Sequence, residues 1–323
     1  MIGNLDKASR FFNARDFLSG VVVTTLSFAT IAMIPFARIV LPIFVPLPIL
    51  YYYRKLGRSW GALMFAVSLG FFALLLQSFG AVADLPLFLL LGLTGIFLAE
   101  MFKRETSIER TILFPSIFLL AAGAAFVWIA AAMSGSAFLP LISTYIEQTL
   151  RETNRIYAQM GLTPEQMQAG GDMAKALLMI FPSLITLMII QMVWINTLAA
   201  REIFRRNAVP FPDFGDLGRW KADERIVWFL IASGAAILVP VAPLQAVGWN
   251  LLILCLLAYV LQGLSIVSFY LKWYRIPRFL RFLTYVVILI YQFVLIAVAA
   301  VGLFDLWLDF RRFARPREGS SEG

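Results

Sequence analysis

The chain has 323 residues, of which 61% are hydrophobic and 14% are charged. A soluble globular protein carries about 25% charged residues, so this composition excludes the soluble class. Long continuous apolar runs, in place of short alternating ones, predict an all-α polytopic transmembrane helix bundle of about eight to nine spans. The net charge of +8 is typical of a membrane protein with lysine and arginine in its cytoplasmic loops, so we expect no nucleic-acid partner.

Apolar spans follow one another along the chain, and a basic cluster follows every second one. The predicted spans are 17–36, 39–53, 60–79, 86–102, 112–133, 176–199, 226–243, 248–271 and 282–307. Because basic residues collect on the cytoplasmic side, this order places the N-terminal segment 1–16 inside and predicts one transmembrane domain, 17–310. A ninth crossing would place the basic tail 311–323, which we expect to be disordered, outside and against the same rule. The sidedness of the C-terminus therefore stays open.

The second span is interrupted by three prolines, Pro42, Pro46 and Pro48. Each removes a backbone donor and crowds the carbonyl four residues earlier. Freed backbone groups inside a bilayer must be buried in protein or line a cavity. The pattern predicts either a kinked helix whose carbonyls bind neighbouring side chains or a broken helix beside a substrate site. The isolated charge Arg38 either reaches the lipid headgroups or pairs with an anionic ligand.

Two connections are long enough to form structure of their own. In the outer loop 134–172, apolar residues recur at helical spacing from Leu139 to Met160, which predicts an amphipathic helix on the membrane surface or on the bundle. That helix is either an interfacial element or a lid over an outward-facing pocket. The inner loop 201–225 mixes proline, glycine, aromatic and charged residues, which indicates an ordered loop along the cytoplasmic face.

The sequence offers little for catalysis. It contains no histidine and one cysteine, Cys255, which excludes an internal disulfide and argues against a zinc site. The zinc-helix, phosphate-loop and nucleophile-elbow motifs are all missing from it. We therefore expect no enzyme, no cofactor and no metal. Any energised process would need a partner ATPase or an ion gradient.

Polar uncharged side chains within the spans are the best candidates for a binding site. Gln191 and Asn196 fall in the sixth predicted span, whereas Gln262 and Ser265 lie one helical turn apart in the eighth. Such groups either join helices through hydrogen bonds, at about 0.6 kcal/mol each in membranes, or line a small-molecule pocket. Both interpretations stay open at this point.

The end of the ninth span carries a charged stripe. Asp305 and Asp309 are four residues apart and Arg312 follows three residues later, so all three share one side of a helix. The stripe is predicted to anchor the last helix at the membrane edge. An ion site is the alternative.

Six stretches, taken in order, carry a resemblance that runs through nearly the whole chain. They are LPIFVPLPILYYYRKLGRSWG, YAQMGLTPEQM, LITLMIIQMVWINTLAAREIFRR, PFPDFGDLGRWKADERIVWFLIA, YVLQGLSIVSFYLKW and GLFDLWLDFRR. Their succession resembles the YybS-like family of bacterial membrane proteins. That family is in turn distantly similar to the substrate-binding subunits of energy-coupling-factor vitamin transporters. The resemblance implies a multi-pass protein of the bacterial cytoplasmic (inner) membrane.

The expected function is therefore transport-related: a small-molecule-binding membrane subunit that works with a coupling membrane subunit and its ATPases. The alternative is a non-catalytic scaffold that assembles with other membrane proteins in the lipid bilayer. Under the first hypothesis the expected ligand-binding residues are Gln191, Asn196, Gln262, Ser265, Pro42, Pro46, Pro48 and Arg38.

Overall fold

In the computed structural model, the described residues are 13–34, 36–78, 84–133, 135, 148, 151–152, 155 and 164–314. The regular elements among these residues are helices, with no strand, which confirms the predicted all-α bundle. Seven helical segments in the described part of the chain are long and apolar enough to cross a membrane; one of them is the proline-interrupted segment Ala37–Leu56, taken as a whole. The number rises to eight if a bent pair near the C-terminus forms one span.

The helices in chain order are α1 (Ala14–Met33), α2 (Ala37–Val40), α3 (Pro46–Leu56), α4 (Arg58–Ser78), α5 (Leu85–Lys103), α6 (Ile108–Met133), α7 (Pro164–Arg206), α8 (Ile226–Leu238), α9 (Ala242–Trp273), α10 (Arg278–Ile290) and α11 (Gln292–Leu308). Three short 3-10 helices among the described residues cover Leu41–Phe44, Leu217–Arg219 and Phe310–Ala314. The predicted seventh span, 226–243, corresponds to α8, which has 13 residues. A helix needs about 20 residues to cross the hydrocarbon core, so α8 is too short to span it alone.

The chain divides into two compact units. The first unit comprises Met1–Glu147 and Met188–Asp213, and the second comprises Gln148–Leu187 and Phe214–Gly323. The predicted outer amphipathic helix lies outside the described residues, apart from four isolated helical positions. The predicted disordered tail also lies outside them from residue 315 onward.

The first unit is built around buried aromatic rings and close helix contacts. The ring centroids of Phe28, Phe72 and Phe88 lie 4.6 to 5.3 Å apart, in tilted or edge-on arrangements. A Cβ atom on Gly95 of α5 would lie 2.6 Å from the carbonyl oxygen of Pro46. Glycine at this position therefore allows the proline-broken segment to pack directly on α5.

The second unit contains a helix that is bridged where a proline interrupts its hydrogen bonds. Pro182 lies inside α7 and cannot donate to the preceding turn. The side chain of Asn250 inserts there: its Nδ2 donates to the carbonyl of Met179, and its Oδ1 accepts from the backbone N–H of Ser183, both at 2.8 Å. The amide of one helix therefore replaces a missing backbone bond in another.

Helices α9 and α11 touch through their backbones in the second unit. A Cβ on Gly263 would lie 2.0 Å from the carbonyl oxygen of Val298, and one on Gly302 would lie 2.0 Å from that of Tyr259. Neither distance is compatible with any side chain. This contact fixes the position of α11, which carries Asp305, against α9.

Candidate functional site

A cluster of buried polar side chains lies at one end of the second unit. We call Gln262, Ser265, Asp305 and Arg311 the polar cluster; each has a relative exposure of 8% or less. The first two side chains come from α9, the third from α11, and the fourth from the 3-10 turn that follows. Buried charged groups are rare in apolar surroundings because of their desolvation cost, so this cluster is the leading candidate site.

The carboxylate of Asp305 is held by three groups. Its Oδ2 accepts a hydrogen bond from Gln262 Nε2 at 3.0 Å, and its Oδ1 accepts one from the backbone N–H of Phe310 at 2.8 Å. The Nη1 of Arg311 lies 3.7 Å from Oδ2 and supplies the opposite charge. The carboxylate therefore joins the C-terminal end of α11 to α9 and to the turn that follows α11.

Arg311 connects this carboxylate to the inner loop. Its Nη2 donates to the carbonyl of Trp220 at 2.8 Å and to Ser265 Oγ at 3.0 Å. Its Nε and Nη1 have no hydrogen-bond partner within the part of the chain that the structure describes. Burial lowers the pKa of Arg311, while the charge of Asp305 opposes that shift. A guanidinium stays protonated in proteins, so Arg311 brings a buried positive charge to within 3.7 Å of the Asp305 side chain.

The inner loop is fixed to the polar cluster through its backbone. Ser265 Oγ lies 2.7 Å from the carbonyl oxygen of Leu217 and 3.0 Å from that of Trp220, so its one proton can serve either. The Oε1 of Gln262 accepts a hydrogen bond from the N–H of Ala222 at 3.2 Å. Both the oxygen and the nitrogen of the Gln262 side chain therefore have a hydrogen-bond partner within the second unit.

Two exposed ion pairs hold the same loop at its surface. Lys272 Nζ lies 2.5 Å from Asp216 Oδ1, and Lys221 Nζ lies 3.0 Å from Asp309 Oδ1. The hydrogen bond from Lys272 lowers the pKa of Asp216, and the backbone N–H of Gly218 adds to that shift. The order that we predicted for the inner loop thus has specific chemical causes in its second half.

The last two helices begin and end near the same end of α9. The pair α10 and α11 bends by 101° around Tyr291. Tyr270, three residues before the end of α9, donates its hydroxyl proton to the carbonyl of Phe310 at 2.7 Å. Helix α10 starts at Arg278, five residues after α9 ends. The chain therefore leaves this end of the unit along α10 and returns to it along α11.

In the first unit, Asn196 reaches the proline-broken segment. Its Nδ2 lies 2.7 Å from the carbonyl oxygens of Ile43 and Met192, whereas its buried Oδ1 has no partner within the described residues. The contact with Ile43 fits the kinked-helix interpretation, in which a neighbouring side chain binds a carbonyl of the interrupted segment.

The other predicted residues of the first unit occupy different surroundings. Pro42 lies within the 3-10 turn, Pro46 is the buried first residue of α3, and Pro48 is half-buried. Arg38 forms an ion pair with Asp84. Gln191, the remaining predicted binding residue, is exposed. The structure thus brings Asn196 to the proline segment, and Gln262 and Ser265 to each other.

Two residues of the polar cluster were missing from the predicted ligand set. The sequence predicts that Asp305 anchors the last helix, with an ion site as the alternative, and it places Arg311 in the basic tail. A usable signal was Gly302, which lies one turn before Asp305 and turns the same face of α11 toward α9. Groups of three or more histidine, cysteine, aspartate or glutamate side chains that could hold a metal do not occur among the described residues.

The comparison with known families identifies the class of this protein. Residues 22–306 match the family described as "Predicted membrane protein (DUF2232)". The chain belongs to this family. No curated protein and no solved structure matches the chain. The match confirms a membrane protein, whereas the finer resemblance to YybS-like proteins and to energy-coupling-factor subunits stays a prediction.

Proposed function

We propose that this protein is a transport-type membrane protein that binds a small molecule and depends on a separate subunit for energy. The observation that carries the proposal is the helix pair bent by 101° whose second arm holds the buried Asp305. Broken helices and buried carboxylates inside membrane proteins commonly mark substrate or ion pathways, because both are costly in a plain bundle.

The polar cluster acts in this proposal as a lock between the inner loop and the last helix pair. Gln262 and Ser265 each bind the loop backbone and a charged group of the cluster. They are free to bind a ligand only after the loop has moved away. The structure then represents a state that is closed at this end, and the cluster breaks and reforms as the protein changes state.

The absence of a phosphate-binding loop from the sequence supports an external source of energy. The resemblance to substrate-binding subunits of energy-coupling-factor transporters points to a coupling membrane subunit with its ATPases as partner. The positive-inside rule places the inner loop, with its many basic residues, on the cytoplasmic side. A bacterial cytoplasmic membrane is the location that fits these features.

A membrane scaffold is the second candidate, and one observation favours it. The run AAGAA, residues 121–125, lies on α6, and a Cβ at Gly123 would meet no atom within 4 Å. Small residues of this kind permit close approach of another helix. Under this alternative a partner helix packs there, and the polar cluster is only an anchor for the inner loop.

The deciding experiment is affinity purification of the full chain in a gentle detergent, followed by mass spectrometry and a small-molecule thermal-shift screen. We expect a coupling subunit with ATPases to copurify, and one compound to raise the unfolding temperature of the wild type. Gln262→Ala should lose that compound's effect, whereas Thr284→Ala, which removes only a bond to its own helix, should keep it. Copurification of other membrane machinery without any stabilising compound would instead support the scaffold.

A further inference from the structure

A basic and aromatic segment follows α9, and its charges are not balanced by acidic residues. We call residues 272–282 the basic turn; they read KWYRIPRFLRF. The sequence holds no aspartate or glutamate from here to Phe304. Lys272 is paired with Asp216, but Arg275 and Arg278 are exposed and have no ion-pair partner among the described residues. Two positive charges are therefore available at this surface.

The arginines of the basic turn follow one another at intervals of three residues. Arg275 occupies a left-handed backbone conformation with φ of 52°, and Arg278 is the first residue of α10. Arg281 lies one helical turn further and donates its Nε proton to the carbonyl of Ile276 at 2.6 Å. Side chains three residues apart on a helix are neighbours, so like charges there repel one another in the absence of an anion.

Exposed aromatic side chains flank these arginines. Trp273, Tyr274, Phe279 and Phe282 are 49%, 68%, 73% and 67% exposed. Aromatic rings beside arginine are typical of the level of the lipid headgroups, where the rings enter the acyl region and the cations meet phosphate. A soluble anion would explain the charges but not the exposed rings between them.

The return of α11 to the same end of the unit adds further positive charge. Phe310 is bound by Tyr270, and the exposed Arg312 follows it two residues later. The inner loop, which is bound to the same end, contributes Arg219 and Arg225. Further basic residues therefore lie at the end of the second unit that carries the basic turn.

We propose that the basic turn binds the phosphate of an anionic phospholipid headgroup, with Arg275 and Arg278 as the contacting cations and the flanking aromatic rings in the acyl region. The occupant is a lipid because one ligand then satisfies the positive charge and the apolar surface together. This inference does not depend on transport, since a scaffold could use the same surface.

The test measures the unfolding temperature of the purified full chain during titration with phosphatidylglycerol in mixed micelles. Phosphatidylcholine and glycerol phosphate serve as the neutral lipid and the headgroup without tails. The test variant is Arg275→Asn with Arg278→Gln, because asparagine tolerates the left-handed conformation at 275. The control is Arg205→Gln with Arg206→Gln, which removes two arginines that are already paired with Glu202.

We expect phosphatidylglycerol to stabilise the wild type and the control at the same lipid concentration. The test variant should need about 25-fold more lipid, since each arginine near an anionic surface contributes about fivefold in affinity. If the double variant does not fold, Arg278→Gln alone should need about fivefold more lipid.

Three results would overturn the proposal. The first is an unchanged titration midpoint in the test variant. The second is equal stabilisation by one of the two comparison compounds. Equal stabilisation by phosphatidylcholine would mean that the surface makes only an apolar contact with lipid, and equal stabilisation by glycerol phosphate would mean that it binds a free anion. The third is loss of a copurified acidic protein from the variant with no change in lipid binding.

Discussion

Removal of the Asp305 carboxylate should destabilise the second unit strongly. In Asp305→Ala, Arg311 stays buried without its counter-ion, and both Gln262 Nε2 and the N–H of Phe310 lose their acceptor. Breaking a buried ion pair by removing one partner typically costs about 3 to 5 kcal/mol. We expect a loss in this range in the free energy of unfolding.

The matched control is Asp309→Ala, one helical turn away. Asp309 pairs with Lys221, but the side chains are 46% and 51% exposed. Solvent screening limits such a pair to at most about 1 kcal/mol. The two variants remove the same chemical group from neighbouring positions. Asp309→Ala adds the strain of alanine in a left-handed backbone conformation (φ 42°), so a larger loss in Asp305→Ala is caused by burial of the pair.

The assay is reversible unfolding of the purified protein in mixed micelles with increasing sodium dodecyl sulfate, followed by circular dichroism. The double variant Asp305→Ala with Arg311→Met should recover part of the loss, because it no longer buries an unpaired charge. The ion pair does not have the role that we assign to it if Asp305→Ala lowers the free energy of unfolding no more than Asp309→Ala does. The same conclusion follows if the double variant loses more free energy of unfolding than Asp305→Ala and Arg311→Met lose together.

Three further predictions test other parts of the structure. Gly302→Ala should prevent correct packing of α11, since its Cβ would lie 2.0 Å from a backbone oxygen. Gly123→Ala on α6 should be neutral or should stabilise the protein by at most about 1 kcal/mol. Size-exclusion profiles and unfolding curves of the two variants distinguish these outcomes. Asn196→Ala should cost about 1 to 2 kcal/mol, because a carbonyl of the proline-broken segment loses its donor, and an unchanged unfolding free energy would argue against that support. The lowered pKa of Asp216 means that its stabilising contribution is present above the carboxyl's ordinary pKa and is lost as the pH falls through the lower, folded-state value. Cleavage of the inner loop by pepsin, which is active in acid, should therefore become faster as the pH falls through this range in the wild type. Asp216→Asn, which cannot form an ion pair with Lys272, should show faster trypsin cleavage already at pH 7.

The sequence predicted the helices better than it predicted which of them cross the membrane. Composition alone indicated an all-α membrane protein, because the transfer of apolar side chains into hydrocarbon is a property of each residue. Hydropathy predicts a full span for the seventh apolar run, but its helix ends at Leu238. It predicts one span for the ninth run, but the chain bends there at Tyr291. Hydropathy carries no information on where a backbone turns.

The sequence was also insufficient to predict the partners of the polar residues. Sequence alone identified Gln262 and Ser265 as unusual in an apolar helix, and it left open whether they join helices or bind a ligand. In the structure their hydrogen-bond partners are far away in the chain. Gln262 meets Asp305 across 43 residues, and Arg311 meets Trp220 across 91.

What the sequence by itself determined is the class of this protein, the approximate helix positions and the proline-broken second segment. These properties depend on local composition and on neighbours within a few residues. Only the tertiary structure decided that Asp305 and Arg311 form a buried pair, and that the inner loop is closed over Gln262 and Ser265. Those outcomes depend on which helices pack together, and backbone contacts at glycines such as Gly302 determine that packing.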